Sequence, residues 1–203
     1  MLDKALYYAL TFAESVLSVV GIRATYEQPR YEVVEQLPRN VEIRHYEPRV
    51  AVETDMAGPG DTEAFRRLFR YITGANGGDD RIAMTVPVEQ GTLIAMTVPV
   101  EQGGDLRVMR FFLPAAIAKA GPPVPTDPKV RIARLPAATY AALRFSGTLD
   151  ARAREKREAV LRQVLAKMAS ETTGPSSVLS YDPPFAIPFL RRNEIVVPVA
   201  EGR

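Results

Sequence analysis

The feature that most constrains this chain is an order of elements that occurs twice. From Tyr31, the segments YEVVEQL, VEIRHYE and VAVETDM alternate apolar and polar residues, the period of half-buried strands. Leu37-Pro38-Arg39-Asn40 reads as a turn between the first two, and Gly58-Pro59-Gly60 ends the run. DTEAFRRLFRYITG then reads as a helix. Asp61 or Thr62 caps it, Phe65, Leu68, Phe69 and Ile72 form its apolar stripe, and Gly74 stops it. The strand RIAMTVPV follows after a loop. The second half replays this sequence of elements. VRIARL and TYAALRFSG are strands separated by Pro136, a long helix runs from the Asp150 cap to Ser170 with Leu161, Val164, Leu165 and Met168 on one face, and NEIVVPV closes the chain. Leu37-Pro38 matches Leu135-Pro136, and Thr85-Val86-Pro87-Val88 matches Val196-Val197-Pro198-Val199.

These matches predict an α+β fold made of two pseudo-symmetric β-β-α-β units, with halves at about 31–104 and 105–203. Their strands form one curved antiparallel sheet or open barrel covered by one helix from each unit. A groove between the halves is the expected ligand pocket.

A second, younger repeat lies inside the first half. IAMTVPVEQG occurs at Ile82–Gly91 and again without change at Ile94–Gly103. The offset of 12 residues is even, so inside–outside parity is kept and either copy suits one strand slot. Pro87 and Pro99 suit a strand end or an edge. Met84 or Met96 can line a pocket, because methionine packs adaptably, or the repeat can be structural alone.

Residues 5–22, ALYYALTFAESVLSVVGI, are mostly apolar, but Glu14, Ser15 and Ser18 interrupt them. The start is poorly basic for a signal peptide, and the polar residues fall on one helical side with Lys4 and Thr11. An amphipathic helix is the preferred reading, with residues 1–30 forming that helix and a linker ahead of a domain over 31–203. Its wide apolar face calls for docking on its own domain, a second copy or a membrane surface. A cytoplasmic location, with or without membrane association, fits this start better than a periplasmic one.

Composition removes whole classes of chemistry. No cysteine is present, so disulfides, thiolate metal sites and cysteine nucleophiles are excluded. A single histidine, His45, excludes a multi-histidine metal site. No nucleotide-binding glycine motif, nucleophile elbow or H-E-x-x-H occurs, which weighs against the common enzyme classes. The net charge of +2 gives no argument for nucleic acid.

VEIRHYEPRVAVE, RIAMTVPV, VMRFFLP and YDPPFAIPFLRRNEIVV, in that order from Tyr31 to Val199, resemble the SOUL/haem-binding protein family, here as a bacterial member. The resemblance implies a distorted antiparallel barrel with two helices. It also implies non-catalytic binding of b-type, non-covalent haem or another tetrapyrrole, for buffering, trafficking or sensing. His45, in the segment Val41 to Tyr46, is the family's proposed iron ligand carried over. Alternation puts His45 on one strand face with Val41 and Ile43, and Glu42, Arg44 and Tyr46 on the other. That leaves three roles for His45: a haem ligand, a core histidine bonded to a neighbour, or a surface residue. Arg44 and Arg49 are candidate partners of propionates, with Tyr46, Met84 and Met96 as further pocket candidates.

Two other readings remain. One is an effector pocket for amphipathic cations, built on a buried carboxylate such as Glu35, Glu42 or Glu53. The other is a weak hydrolase using Glu42 and Tyr46. Phe185 and Phe189, after the stiff Tyr181-Asp182-Pro183-Pro184, are expected to plug the barrel end, and Glu194 is available to an arginine.

Overall fold

The computed structural model describes residues 26–58, 61–78, 81–92, 107–182 and 186–200. The expected N-terminal helix, the second repeat copy with Met96, and Phe185 lie outside the described residues.

Among the described residues nine strands are present: β1 Tyr31–Leu37, β2 Val41–Tyr46, β3 Arg49–Met56, β4 Val88–Thr92, β5 Arg107–Phe112, β6 Val130–Leu135, β7 Ala138–Phe145, β8 Ser177–Ser180 and β9 Asn193–Pro198. Helix α1 is Thr62–Ile72, the short α2 is Ala115–Ala120, and α3 is Ala151–Lys167. All strands join one antiparallel sheet in the order β1-β2-β7-β9-β8-β4-β5-β3-β6. The order is symmetric about the β8–β4 contact: β2-β7-β9-β8 faces β6-β3-β5-β4.

Two short corners force the sheet to curl. Glu47-Pro48 links β2 to β3, and Pro136-Ala137 links β6 to β7. Yet β2 and β3 stand six strands apart in the order, about 29 Å in a flat sheet at 4.8 Å per strand. From Tyr46 to Arg49 the chain spans at most about 11 Å. The two ends of the sheet must therefore approach each other, and the result is a half-barrel.

Both long helices pack on one face. Asp61 caps α1, its Oδ1 accepting from the Glu63 and Ala64 amides at 2.9 and 3.1 Å. Ala64, Leu68, Tyr71 and Ile72 then bury against Val52, Met109, Phe111 and Val130. Phe69, expected in the stripe, stays 44% exposed and stacks on Phe65. Asp150 caps α3 by accepting from the Ala153 amide. Leu161, Val164 and Leu165 bury against Val41, Ile43, Ala141, Leu143, Ile195 and Val197, while Met168 remains exposed.

The structure pairs the halves differently from the sequence matches. Leu37-Pro38 turns a hairpin between adjacent strands, whereas Pro136 follows β6 on its way across the barrel. The equivalent of Pro136-Ala137 is Glu47-Pro48. Val86-Pro87-Val88 enters β4, whereas Val197-Pro198-Val199 leaves β9, whose counterpart is β5. Each half also carries a second strand after its helix. The first repeat copy becomes a strand only at Val88, since Pro87 has no N–H to give a ladder. Ile82 packs under α1 and Val86 crosses to the opposite face.

Leu161 is fully buried at the centre of the α3 interface. Leu161→Ala is expected to lower the unfolding free energy by about 2–5 kcal/mol, read as a lower urea midpoint at unchanged slope.

Candidate functional site

Among the described residues, the face without helices is the concave one. Arg49 of β3 lies over the rings of Tyr46 of β2 and Tyr140 of β7, at 4.4 and 5.3 Å, so side chains from opposite ends of the sheet meet on this side. The structure keeps the expected division of β2. Val41 and Ile43 join the core under α3, while Arg44 and Tyr46 point into the barrel.

Two ionic clusters occupy that concave face. In the first, Glu194 is fully buried. Arg44 grips it with a fork, Nη1 to Oε2 at 2.7 Å and Nη2 to Oε1 at 3.2 Å. Arg192 donates to Oε1 from Nε and Nη2 at 2.9 and 2.7 Å, and the Tyr181 hydroxyl donates to Oε2 at 2.9 Å. Arg44 Nε also donates to Glu42 at 2.7 Å. In the second cluster, Glu53 accepts from Arg110 Nε at 2.6 Å and from Arg131 Nε at 2.7 Å. Glu89 and Asp55 complete it at 3.5 and 2.8 Å from the same two guanidinium groups.

Protonation follows from these contacts. Burial drives the Glu194 carboxyl upward, but the Arg44 and Arg192 guanidinium groups outweigh it and hold it below the ordinary value. Burial pushes the Tyr46 hydroxyl up to about 12 against the pull of Arg44. Tyr181 is pushed well above its ordinary value, first by burial and then by the Glu194 charge. Both phenols stay protonated at neutral pH, so neither supplies a phenolate.

The expected groove at the symmetry axis is filled. Val86, Ala142, Leu179, Tyr181 and Val196 form a core there, with Tyr26 and Tyr140 against it. The Val86 amide donates to Glu27 O at 3.1 Å, Glu27 Oε1 accepts from the Ala115 amide at 2.8 Å, and the Thr85 hydroxyl donates to Phe112 O. These bonds draw Glu27 and Val86 together, and Val86 and Tyr26 join the core on the concave face. A cavity of about 220 Å³ lies elsewhere, beside α1, between Arg67, Tyr71, Pro125 and Asp127. It is smaller than the ~300–1,000 Å³ usual for ligand pockets.

The mouth of the barrel keeps an aromatic seam. Tyr31, Tyr46 and Tyr140 pack at centroid distances of 5.1 and 5.7 Å. Arg49 sits over Tyr46, Tyr140 and Phe112, and its Nε is buried without a hydrogen-bond partner. Tyr31, Arg49 and Tyr140 each retain some exposure.

The sequence candidates separate accordingly. Tyr46 joins the seam. Arg44 is 2% exposed and engaged by two carboxylates, so it organises the interior instead of waiting for a propionate. His45 is half-buried on the opposite, helix-bearing face, with Nδ1 at 3.1 Å from Thr139 Oγ1. Met84 packs at the edge of the core under α1. Glu42 and Glu53 are both ion-paired and Glu35 is exposed, so none of the three is a buried carboxylate left for a cationic ligand. Phe189 is 72% exposed in a 3-10 turn and plugs nothing. The Arg110–Glu53–Arg131 cluster was not anticipated. Its signal is an arginine inside the apolar run VMRFF, a charge that burial obliges to pair.

An antiparallel half-barrel with symmetric strand order and helices on its convex face is an α+β fold shared with other solved structures. An uncharacterized conserved protein from Listeria innocua superposes with a TM-score of 0.57 at 13% identity, over 80% of this chain and 93% of that one. The EcmrR C-terminal domain does so at 0.55 and 12% identity, over 85% of this chain and 99% of its own. Within that class the chain belongs to the SOUL heme-binding protein family, which it matches over residues 26–198. Heme-binding protein 1 of Xenopus tropicalis is 31% identical over 158 residues, 76% of this chain and 80% of that protein.

Removing the charge of Glu194 strands two cations. Glu194→Gln is expected to cost about 3–5 kcal/mol of stability, measured by chemical denaturation. The folded-state value of Glu194 lies below the ordinary 4.5. Its contribution is therefore complete above that value and lost as pH falls through the folded one. The wild type should lose stability along this acid limb, and the variant should show a shallower one.

Proposed function

We propose that this chain binds haem or a closely related tetrapyrrole without transforming it, and serves to buffer, carry or sense it. The observation that carries this reading is the family match across 26–198, which spans both halves of the barrel. The seam at the barrel mouth supports it chemically. A flat aromatic ring bearing carboxylates suits a mouth where Tyr31, Tyr140 and the Arg49 cation keep partial exposure over the buried Tyr46 ring. The ring is held there non-covalently, as a b-type haem is. A ring at this seam lies on the other side of the sheet from His45, so the imidazole is not its axial ligand. His45 suits only a ring seated on the helix-bearing face.

A catalytic reading draws less from the site. Glu42 is held by Arg44, and Tyr46 stays protonated and accepts from Arg44 Nη1 at 3.4 Å. We also infer that the two halves descend from one duplicated unit, on the support of the symmetric strand order. Action in the cytoplasm or at its membrane surface, with residues 1–30 as the docking element, is the accompanying proposal.

The test is a hemin titration of the full chain followed by absorbance, with His45→Ala in parallel. A saturating Soret shift at micromolar hemin, unchanged in the variant, is the expected result. No Soret shift in the wild type would overturn haem binding. Loss of the shift in His45→Ala alone, with the variant folded, would move the ring to the helix-bearing face.

A further inference from the structure

Five arginines on the concave face are buried or half-buried: Arg44, Arg49, Arg110, Arg131 and Arg192. Four of them have a carboxylate within ion-pair distance. Arg49 has none among the described residues. It is held by three rings, at 4.4, 5.3 and 5.3 Å, and its Nε is enclosed without a partner. A buried donor left unpaired asks for an explanation, and the residual exposure of the side chain lets an anion approach from the mouth. We infer that Arg49 is the carboxylate-recognition residue of the ligand site, taking one acidic side arm of a tetrapyrrole. This assignment rests on the haem reading above.

Its test compares hemin with hemin dimethyl ester, which keeps the ring and lacks the charges, on the wild type, Arg49→Gln and Arg49→Lys. A melting curve confirms that each variant is folded. Loss of a charge-assisted hydrogen bond predicts a hemin affinity about tenfold to a hundredfold weaker in Arg49→Gln. Ester binding should be unchanged, and Arg49→Lys should recover part of the loss. Equal weakening for hemin and ester, or no weakening, overturns the assignment and leaves haem binding intact. A wild type that binds neither compound overturns both.

A different observation carries a second inference. The slot filled by the first repeat copy is specific. Ile82 packs under α1, Thr85 bonds Phe112 O, Val86 enters the concave core, and Glu89 meets Arg110. Ile94–Gly103 repeats every one of these side chains. Because β4 is followed by residues 93–106 and then β5, the second copy has the same strand partner within reach. Placed in the slot, it sets Val100 opposite Phe111 and Glu101 opposite Arg110, and Asp105-Leu106 becomes the hairpin loop. The exchange moves twelve residues from the β4–β5 connection to the α1–β4 connection. Loop-closure cost grows only with the logarithm of length, so the balance changes by roughly an order of magnitude at most. We propose that the two copies are interchangeable occupants of one strand slot, so that the chain has two threadings of the same core.

Val86→Asp, Val98→Asp, the double variant and a deletion of residues 82–93 test it by thermal denaturation. Each single variant and the deletion are expected to melt close to the wild type, and the double variant to be unfolded. A Val86→Asp variant as disrupted as the double variant, beside a folded deletion variant, overturns the exchange. So does a deletion variant that fails to fold.

Discussion

Two corners of two residues each govern this molecule. Glu47-Pro48 and Pro136-Ala137 must carry the chain between strands that a flat sheet would hold about 29 Å apart. Curling is the only solution, and the rest follows from it. The convex face receives α1 and α3, whose apolar stripes pack against the aliphatic side chains of the strands. Among the described residues the concave face gets no helix, and it becomes narrow. Side chains from the two ends of the sheet meet there, and whatever charge they bear is removed from water.

That enclosure explains the ionic clusters. Burying a carboxylate alone is prohibitive, and a buried ion pair is seldom a net gain over a well-packed apolar pair. Glu194 is tolerated because two guanidinium groups and a phenol surround it. What such a cluster contributes is selectivity of arrangement. Arg44 on β2 and Glu194 on β9 meet across β7, so a strand slipped by one residue would turn one of them to the helix side and leave the other charge unpaired. The second cluster ties β3, β4, β5 and β6 in the same way. The clusters are not symmetry mates. By strand register, Glu53 of β3 corresponds to Ala142 of β7, and Glu194 of β9 to Val108 of β5. Each half met the problem of a closed concave face with its own residues.

How much of this was legible in the sequence depends on range. Local signals were clear: the period-2 segments, the Asp61 and Asp150 caps, and the division of β2 into Val41-Ile43 and Arg44-Tyr46 faces. The family was readable from the segments it shares with this chain. Pairing was not readable, because strands distant in sequence set it. The Leu-Pro and Val-Pro-Val matches looked equivalent as strings, yet one of each pair sits at a hairpin or strand entry and the other at a crossing or strand exit. β8 was missed because SVLS is short and set among glycine, proline and serine. Phe189 was misplaced because a 3-10 turn directs it outward, which no apolar count reveals. At the site, Glu194's need for an arginine was visible, but its partner lay 150 residues away.

The filled concave face also decides what kind of ligand this architecture can accept. An open groove with an unpaired carboxylate would recruit a cation into the barrel. Here Val86 and Tyr181 occupy the centre, and each buried carboxylate already has its guanidinium. On the proposed reading a ligand meets the mouth, where rings outnumber charges and Arg49, with no carboxylate partner among the described residues, stands between them. Stacking on such a surface favours a broad, flat molecule over a compact one, since contact area grows with the face it presents. The cation then favours an acidic rim over a basic one. Shape and charge thus select the same class of ligand by independent routes, and neither requires an iron-ligating side chain.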